Sequence, residues 1–255
     1  MEILNAVGVS KHFAGVRALN KIDVAVEKGA IHGLIGPNGS GKTTFFNIVS
    51  GLLLPTEGKI YFDSTDITNL KPHIIARMGI SRTFQLARFM PRMSCLENVM
   101  AGMYCRTKAD LFGTFIRMPF TQSSQERKMK QRALEVLQLV GLADFAERNA
   151  SELVWVEQQL LQVAHALAAE PKLLLLDEPT AGMGDAESQK VQKIIEQIRE
   201  MGITIVLVAH DVKLVAQLSD FVTVIDFGKN IAEGTASQVQ NDPKVLEAYL
   251  GAEQG

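Results

Sequence analysis

Two cysteines among 255 residues are too few for a disulfide framework. Cys95 and Cys105 have no metal-ligand companions nearby and read as reduced thiols of a cytosolic protein. Neither sign of charge is in excess. Lysine and arginine number 26 against 28 aspartates and glutamates, a net charge of −2. That balance excludes the basic footprint of a nucleic-acid or anionic-lipid binder. No apolar run approaches the ~20 residues of a membrane-spanning helix, so any membrane role has to come through a partner. The opening "MEILNAVGVS" has neither the basic start nor the apolar stretch of a signal peptide. Internal repeats and low-complexity tracts are also missing.

The composition is 47% hydrophobic and 21% charged, enough for the core of one large or two small domains. Residues 1–35 alternate β-rich runs with turn residues, and "ILNAVGV", "IDVAV" and "AIHGLIG" read as strands. After Gly41 the pattern becomes helical. "LPTEGKIYFD" gives a turn and a strand, "HIIARMG" a short helix, and "GISRTF" a strand entering a loop. From residue 86 the character changes. A Pro-interrupted loop leads to a helix at "CLENVMAGM", "KADLFGTFIRMPFTQSSQ" is mixed with a polar break, and "QERKMKQRALEVLQLVGL" is helical with Gly141 as its stop. The strand signal then returns. "LLLLD" and "ITIVLVAH" are apolar runs of the kind buried on both faces of a parallel sheet. The amphipathic "AESQKVQKIIEQIREMG" lies between them, and "FVTVIDFGKNIAEG" reads as a hairpin. Helices alternating with buried strands predict an α/β fold with a mostly parallel sheet.

"GPNGSGKTT" follows the strand "IHGLI" directly and opens a helix. It fits G-x-x-x-x-G-K-[ST] through Gly36, Gly41, Lys42 and Thr43. Glycines let backbone N–H groups wrap a phosphate, and the helix start adds positive potential. Lys42 reaches the β and γ phosphates, and the Thr43 hydroxyl ligates Mg²⁺. Pro37, Asn38, Gly39, Ser40 and Thr44 complete the loop. Asp177 ends the strand "KLLLLD", where a carboxylate can hold Mg²⁺ through water. Glu178 follows at once, points elsewhere, and is placed to orient or deprotonate an attacking water.

"GPNGSGKTT", "TFQ", "LLLLDEPTAG" and "VAHD" occur in the order and at the spacings of ABC transporter ATP-binding subunits, and the chain resembles that family over its whole length. "SKHFAGVRAL", "LFGTFIRMPF" and "DPKVLEAYLG" are similar to the branched-chain amino-acid uptake type. The resemblance implies a P-loop NTPase core at 1–85 and 156–255, with an N-terminal antiparallel β region and an all-helical subdomain at 86–155. It implies ATP and Mg²⁺ as ligands. Phe13, with Val16 beside it, corresponds to the adenine-stacking position; the plain alternative is a core phenylalanine. Gln85 resembles the glutamine that touches Mg²⁺ and the water, and His210 the histidine that contacts the γ-phosphate. The implied catalytic set is Glu178, His210 and Lys42, with Thr43, Gln85 and Asp177 organising the metal.

The implied function is ATP hydrolysis driving uptake, at the cytoplasmic face of the cell membrane. The implied partners are two permease subunits, a solute-binding protein, and a second ATP-binding subunit, related or identical. The alternative is an ATP-binding regulatory subunit with little hydrolysis. A soluble ATPase acting on nucleic acid fits poorly with a single ATPase unit and a mildly negative charge.

Two places depart from the family pattern. Gly184 stands where an acid or amide is usual, with Asp185 one residue later. The signature Leu-Ser-Gly-Gly-Gln falls on Leu153, Val154, Trp155, Val156 and Glu157, so only the leucine survives. In this family that stretch completes the partner's ATP site and not its own. The expectation is therefore a competent phosphate site here and a degraded one across the dimer.

Overall fold

The computed structural model describes residues 1–83, 89–103, 119–209 and 212–252. The elements run β1 (Glu2–Phe13), β2 (Val16–Glu27), β3 (Ile31–Ile35), α1 (Lys42–Val49), β4 (Glu57–Phe62), β5 (Thr65–Asp66), α2 (Pro72–Met78), β6 (Ile80–Arg82), α3 (Cys95–Met103) and α4 (Pro119–Leu139). They continue with α5 (Trp155–Ala168), β7 (Leu173–Asp177), α6 (Asp185–Glu200), β8 (Thr204–Val208), α7 (Val212–Leu218), β9 (Phe221–Asp226), β10 (Lys229–Gly234), α8 (Ala236–Gln240) and α9 (Pro243–Ala252).

Among the described residues two sheets form, an antiparallel one in the order β2-β1-β4-β5 and a larger one in the order β10-β9-β3-β8-β7-β6. In the larger sheet every neighbour from β9 to β6 pairs in parallel, and only the β9–β10 hairpin is antiparallel. The reason lies in the side chains. β3, β7 and β8 are buried at every position, so they need cover on both faces, which crossover helices supply. Alternate residues serve opposite faces. Ile31, Ile35, Leu174, Leu176, Ile205 and Leu207 pack with helices α5 and α6. Leu34, Leu173, Leu175, Val206 and Val208 pack against Phe45 and Phe46 of α1 and the β1–β2 layer.

The β1–β2 strands are longer than their apolar runs suggest. Ala14 and Gly15 both have positive φ (39° and 98°), which closes a tight turn with Phe13 opposite Val16. α6 buries Val191, Ile194, Ile195 and Ile198 on one helical face and stops before Gly202, whose φ is 83°.

Between β6 and β7, α3 lies against α4 and α5. The crossing of α3 on α5 is close: a Cβ at Gly102 would stand 2.4 Å from the His165 carbonyl. Asn98, fully buried, accepts from the Met90 N–H and donates to the carbonyls of Met90, Met93 and Ser94, holding the loop that enters α3. The polar break expected at 119–125 is instead the start of α4. Proline is compatible with a first helical turn, where its missing N–H has no intrahelical partner. Cys95 is a free thiol in the core, and burial pushes its pKa up; Cys105 lies outside the described residues. Among the described residues no helix is long and apolar enough to cross a membrane.

Candidate functional site

The register of the large sheet assembles the site. Leu34 of β3 and Asp177 of β7 both pair with Val208 of the strand between them. The chain leaving β3, β8 and β7 therefore exits at one edge, the usual ligand crevice of an open α/β sheet.

The loop after β3 is shaped by backbone crowding. Gly36 has φ 153°, and a Cβ there would lie 1.9 Å from the Ile225 carbonyl oxygen. Gly41, with φ 113°, would place its Cβ 2.6 Å from the Ala18 carbonyl. Both glycines are demanded by neighbouring strands. The Gly228 N–H donates to the Ser40 carbonyl (2.9 Å), and the Asn20 N–H donates to the Gly228 carbonyl (2.7 Å), so the β9–β10 turn and β2 brace the loop. Gly36→Ala is expected to destabilise the fold by about 1–3 kcal/mol through strain, read as a lowered midpoint in chemical unfolding. An unchanged midpoint would show that the loop yields at no cost.

α1 begins without a side-chain cap and without an acid in its first turn. Its first N–H groups and its positive dipole end are left for an anion. Lys42 is 5% exposed. Its Nζ donates to the carbonyls of Gly36 (2.7 Å) and Pro37 (2.8 Å) and lies 3.5 Å from Ser40 Oγ. Burial lowers its pKa, while Glu178 and Asp177 oppose that shift. Asn38, Gly39 and Thr43 are exposed, Pro37 and Thr44 half-buried, Ser40 buried. Phe13 is 42% exposed and Val16 67%, which places both at the surface and removes the core alternative for Phe13. Lys11 Nζ lies 5.2 Å from the Phe13 ring centroid.

Asp177 and Glu178 have different surroundings. Asp177 is 3% exposed, and burial raises its pKa against the lowering effect of Arg82. Arg82 Nη2 donates to Asp177 Oδ2 at 3.0 Å, and the Thr83 hydroxyl accepts from the Asp177 N–H at 3.1 Å. Asp177 Oδ1 is buried with no hydrogen-bond partner among the described residues. Glu178 is half-buried and takes a left-handed φ of 51°. Its N–H donates to the Val208 carbonyl at 2.8 Å. The chain therefore leaves strand geometry at Glu178, directly after Asp177. Gln85 and His210 lie outside the described residues.

Two participants are missed by the sequence reading. Arg82 is one; in "SRTFQ" nothing local signals a buried guanidinium. Tyr249 of α9 is the other. Its hydroxyl is buried near the Gly36 backbone but out of hydrogen-bond geometry, and burial pushes its pKa up to about 12. "DPKVLEAYLG" marks it only as part of a terminal helix.

The stretch that departs from the signature forms the start of α5. Val154 is 63% exposed and Trp155 45%. The Glu157 carboxylate accepts from the Val154 N–H at 3.0 Å, so a carboxylate sits at the helix end where an anion would bind. Trp155 Nε1–H donates to the Ala181 carbonyl at 3.2 Å, tying this helix start to the segment after Glu178. Gly184 is the N-cap of α6 and Asp185 its first residue. Elsewhere a groove of about 230 Å³ opens between α1–α2 and α3–α5, walled by Ser50, Ile75, Arg82, Phe89, Gln162 and His165 among others.

The sequence matches the ABC transporter family over residues 19–181 and the branched-chain amino acid ATP-binding cassette transporter family over residues 229–254. It is 36% identical to the high-affinity branched-chain amino acid transport ATP-binding protein BraF of Pseudomonas aeruginosa, over 98% of each chain. The fold is similar to the ADP conformation of an ATP-binding cassette of an ABC transporter, with a TM-score of 0.86, 33% identity, and coverage of 98% of this chain and 99% of that one. It is also similar to a dimeric cassette in a post-hydrolysis state bound to ADP and Pi, with a TM-score of 0.78, 26% identity, and coverage of 91% and 98%. With the phosphate loop, the acidic strand end and near-complete coverage in agreement, this chain belongs to the ABC transporter family as one of its ATP-binding cassettes.

Proposed function

We propose that the chain is the ATP-hydrolysing subunit of a membrane importer for branched-chain amino acids or closely related small solutes. The observation that carries the reading is one edge of one sheet that holds a braced phosphate loop with a buried Lys42 and, on the far side of β8, the Asp177–Glu178 pair. The relatedness to BraF supports the solute class, and it favours the transporting reading over the regulatory one.

In this reading the triphosphate lies along the N–H groups of Gly36 to Thr44, with the adenine on Phe13 beside Val16. Lys42 exchanges its contacts with the loop carbonyls for β and γ phosphate oxygens. Glu178 accepts a proton from water as its oxygen attacks the γ-phosphorus, and the bond to the ADP oxygen breaks. His210 steadies the transferring group. Thr43, Asp177 and Gln85 are the residues that would hold Mg²⁺. The unpartnered Oδ1 of Asp177 fits that role. When bound, the ion supplies charge neutralisation across the phosphates.

Permease subunits are the proposed partners at the groove lined by α2, α3 and α5, which would set the chain at the cytoplasmic face of the membrane, with a solute-binding protein acting indirectly. The exposed start of α5 supports a dimer in which a second, related ATP-binding subunit supplies the intact signature to this chain's ATP. ATP closes that dimer and hydrolysis reopens it.

The test is uptake. A strain lacking this gene is expected to lose import of at least one radiolabelled branched-chain amino acid. The wild-type gene should restore it, and Lys42→Ala should not. Normal import across the branched-chain set in the deletion strain would remove the solute assignment, and rescue by Lys42→Ala would remove ATP hydrolysis as the driver.

A further inference from the structure

Arg82 is 5% exposed at its side chain and Asp177 1%, a buried ion pair between two strands that are neighbours in the sheet. The guanidinium is held on every side. Nη2 donates to Asp177 Oδ2 (3.0 Å), Nη1 to Asn47 Oδ1 (2.7 Å) and to Ser50 Oγ (3.3 Å), and Nε to the Thr83 carbonyl (3.2 Å). Its centre lies 5.6 Å from the Phe46 ring centroid. A rigid planar fork fixed at α1 and at its own strand end cannot follow the carboxylate, so the carboxylate must take the orientation the fork dictates.

An ion pair of this kind is often only structural. Here one feature argues against that. A structural pair in a dry interior satisfies both carboxylate oxygens, whereas Asp177 Oδ1 is buried with no partner among the described residues. The pair occupies one oxygen and, among the described residues, leaves the other without a donor. The Thr83 hydroxyl accepts from the Asp177 N–H (3.1 Å), and the Thr83 N–H donates to the Leu175 carbonyl (2.9 Å), so the backbone under the carboxylate is anchored by the residue beside Arg82.

We propose that Arg82 is the positioning residue for Mg²⁺ binding: the guanidinium engages Oδ2 of Asp177, fixes the rotation of the carboxylate and reserves Oδ1 for the water shell of the ion that accompanies ATP. This deepens the ATPase reading and rests on it. Asn47 shares the task by fixing the far arm of the fork. Lysine at position 82 keeps the charge but has one point of attachment, so it can pair with Asp177 or reach Asn47 and not set the plane.

The test is equilibrium binding of a fluorescent ATP analogue to the purified full chain, in EDTA and across a Mg²⁺ titration. Arg82→Met is expected to bind the analogue in EDTA within about twofold of wild type, while the Mg²⁺ midpoint rises about tenfold or more, the usual effect of losing a group that orients a metal-binding residue. Arg82→Lys should give an intermediate shift, and Asn47→Ala a smaller shift in the same direction. If Arg82→Met does not fold, these two decide the matter. In an Asp177→Asn background the Arg82 substitutions should add less than about twofold, since coupled residues are non-additive. Wild-type Mg²⁺ midpoints in the Arg82 and Asn47 variants overturn the inference. So does an equal loss of affinity in EDTA, or a full Arg82 effect in the Asp177→Asn background. A wild-type chain that binds nucleotide normally while these variants match it removes only the role of Arg82. A wild-type chain that binds no nucleotide removes both this role and the ATPase reading.

Discussion

Glu178→Gln, in the assembled transporter, is expected to lower ATP turnover by about 10²–10⁴-fold, the usual contribution of a general base, and to leave nucleotide binding intact. The two carboxylates at the end of β7 cannot exchange tasks. Asp177 is buried, engaged by Arg82 through Oδ2 and anchored at its N–H by Thr83. Glu178 is half-buried, and its left-handed backbone is pinned to the Val208 carbonyl. Glutamine preserves the shape and hydrogen-bonding reach of the side chain but cannot take a proton. Phosphate release and analogue binding, measured on the same preparation, separate the two effects. Turnover within about threefold of wild type would place the base elsewhere, because a base worth less than that contributes under 1 kcal/mol to the barrier.

The second large effect concerns α5. The chain alone is expected to hydrolyse ATP very slowly, because a second copy offers it Val154, Trp155, Val156 and Glu157 where a serine hydroxyl and glycine N–H groups are needed. A hydrogen bond to a charged group is worth roughly 1.5–3 kcal/mol, so two or three losses amount to about 3–9 kcal/mol, beyond ~100-fold in rate. The structure adds two obstacles. The Glu157 carboxylate already satisfies the Val154 N–H, placing negative charge where the γ-phosphate should come. The Trp155 ring is fastened to the Ala181 carbonyl, so it does not simply swing aside. Combining Val154→Ser, Trp155→Gly, Val156→Gly and Glu157→Gln should raise self-supported turnover by more than ~100-fold, with a rate that climbs steeply with protein concentration as copies pair. Robust turnover by the unmodified chain, saturating with its own concentration, would sink the heterodimer reading. A folded, pairing variant with no gain would show that the stretch is not what limits the chain.

The parts of this protein that were legible in the sequence are those whose chemistry is contiguous. The phosphate loop needs glycines, a lysine and a threonine at fixed spacing between a strand and a helix, and all of that is written within "GPNGSGKTT". The buried strands of the parallel sheet declare themselves as unbroken apolar runs, since both of their faces are covered. Proline and the polar run from residue 119 resemble a break in the sequence, although both are tolerated where a helix starts. β1 and β2 run past their apolar stretches because Lys11, His12, Arg17 and Asn20 interrupt the pattern near their shared turn.

Neighbours along the chain are enough to specify the phosphate loop, the succession of strands and helices, and the loss of the signature. The folding of the chain brings Arg82 to Asp177, 95 residues away. It also decides that one oxygen of that carboxylate stays unpartnered among the described residues, that Gly36 must be glycine because of Ile225, and that Glu157 caps its own helix. Those facts depend on which strands pair and in what register. A one-residue slip of β7 against β8 would turn Asp177 to the other face of the sheet. Register is set by the burial of whole strands and not by the residues that act.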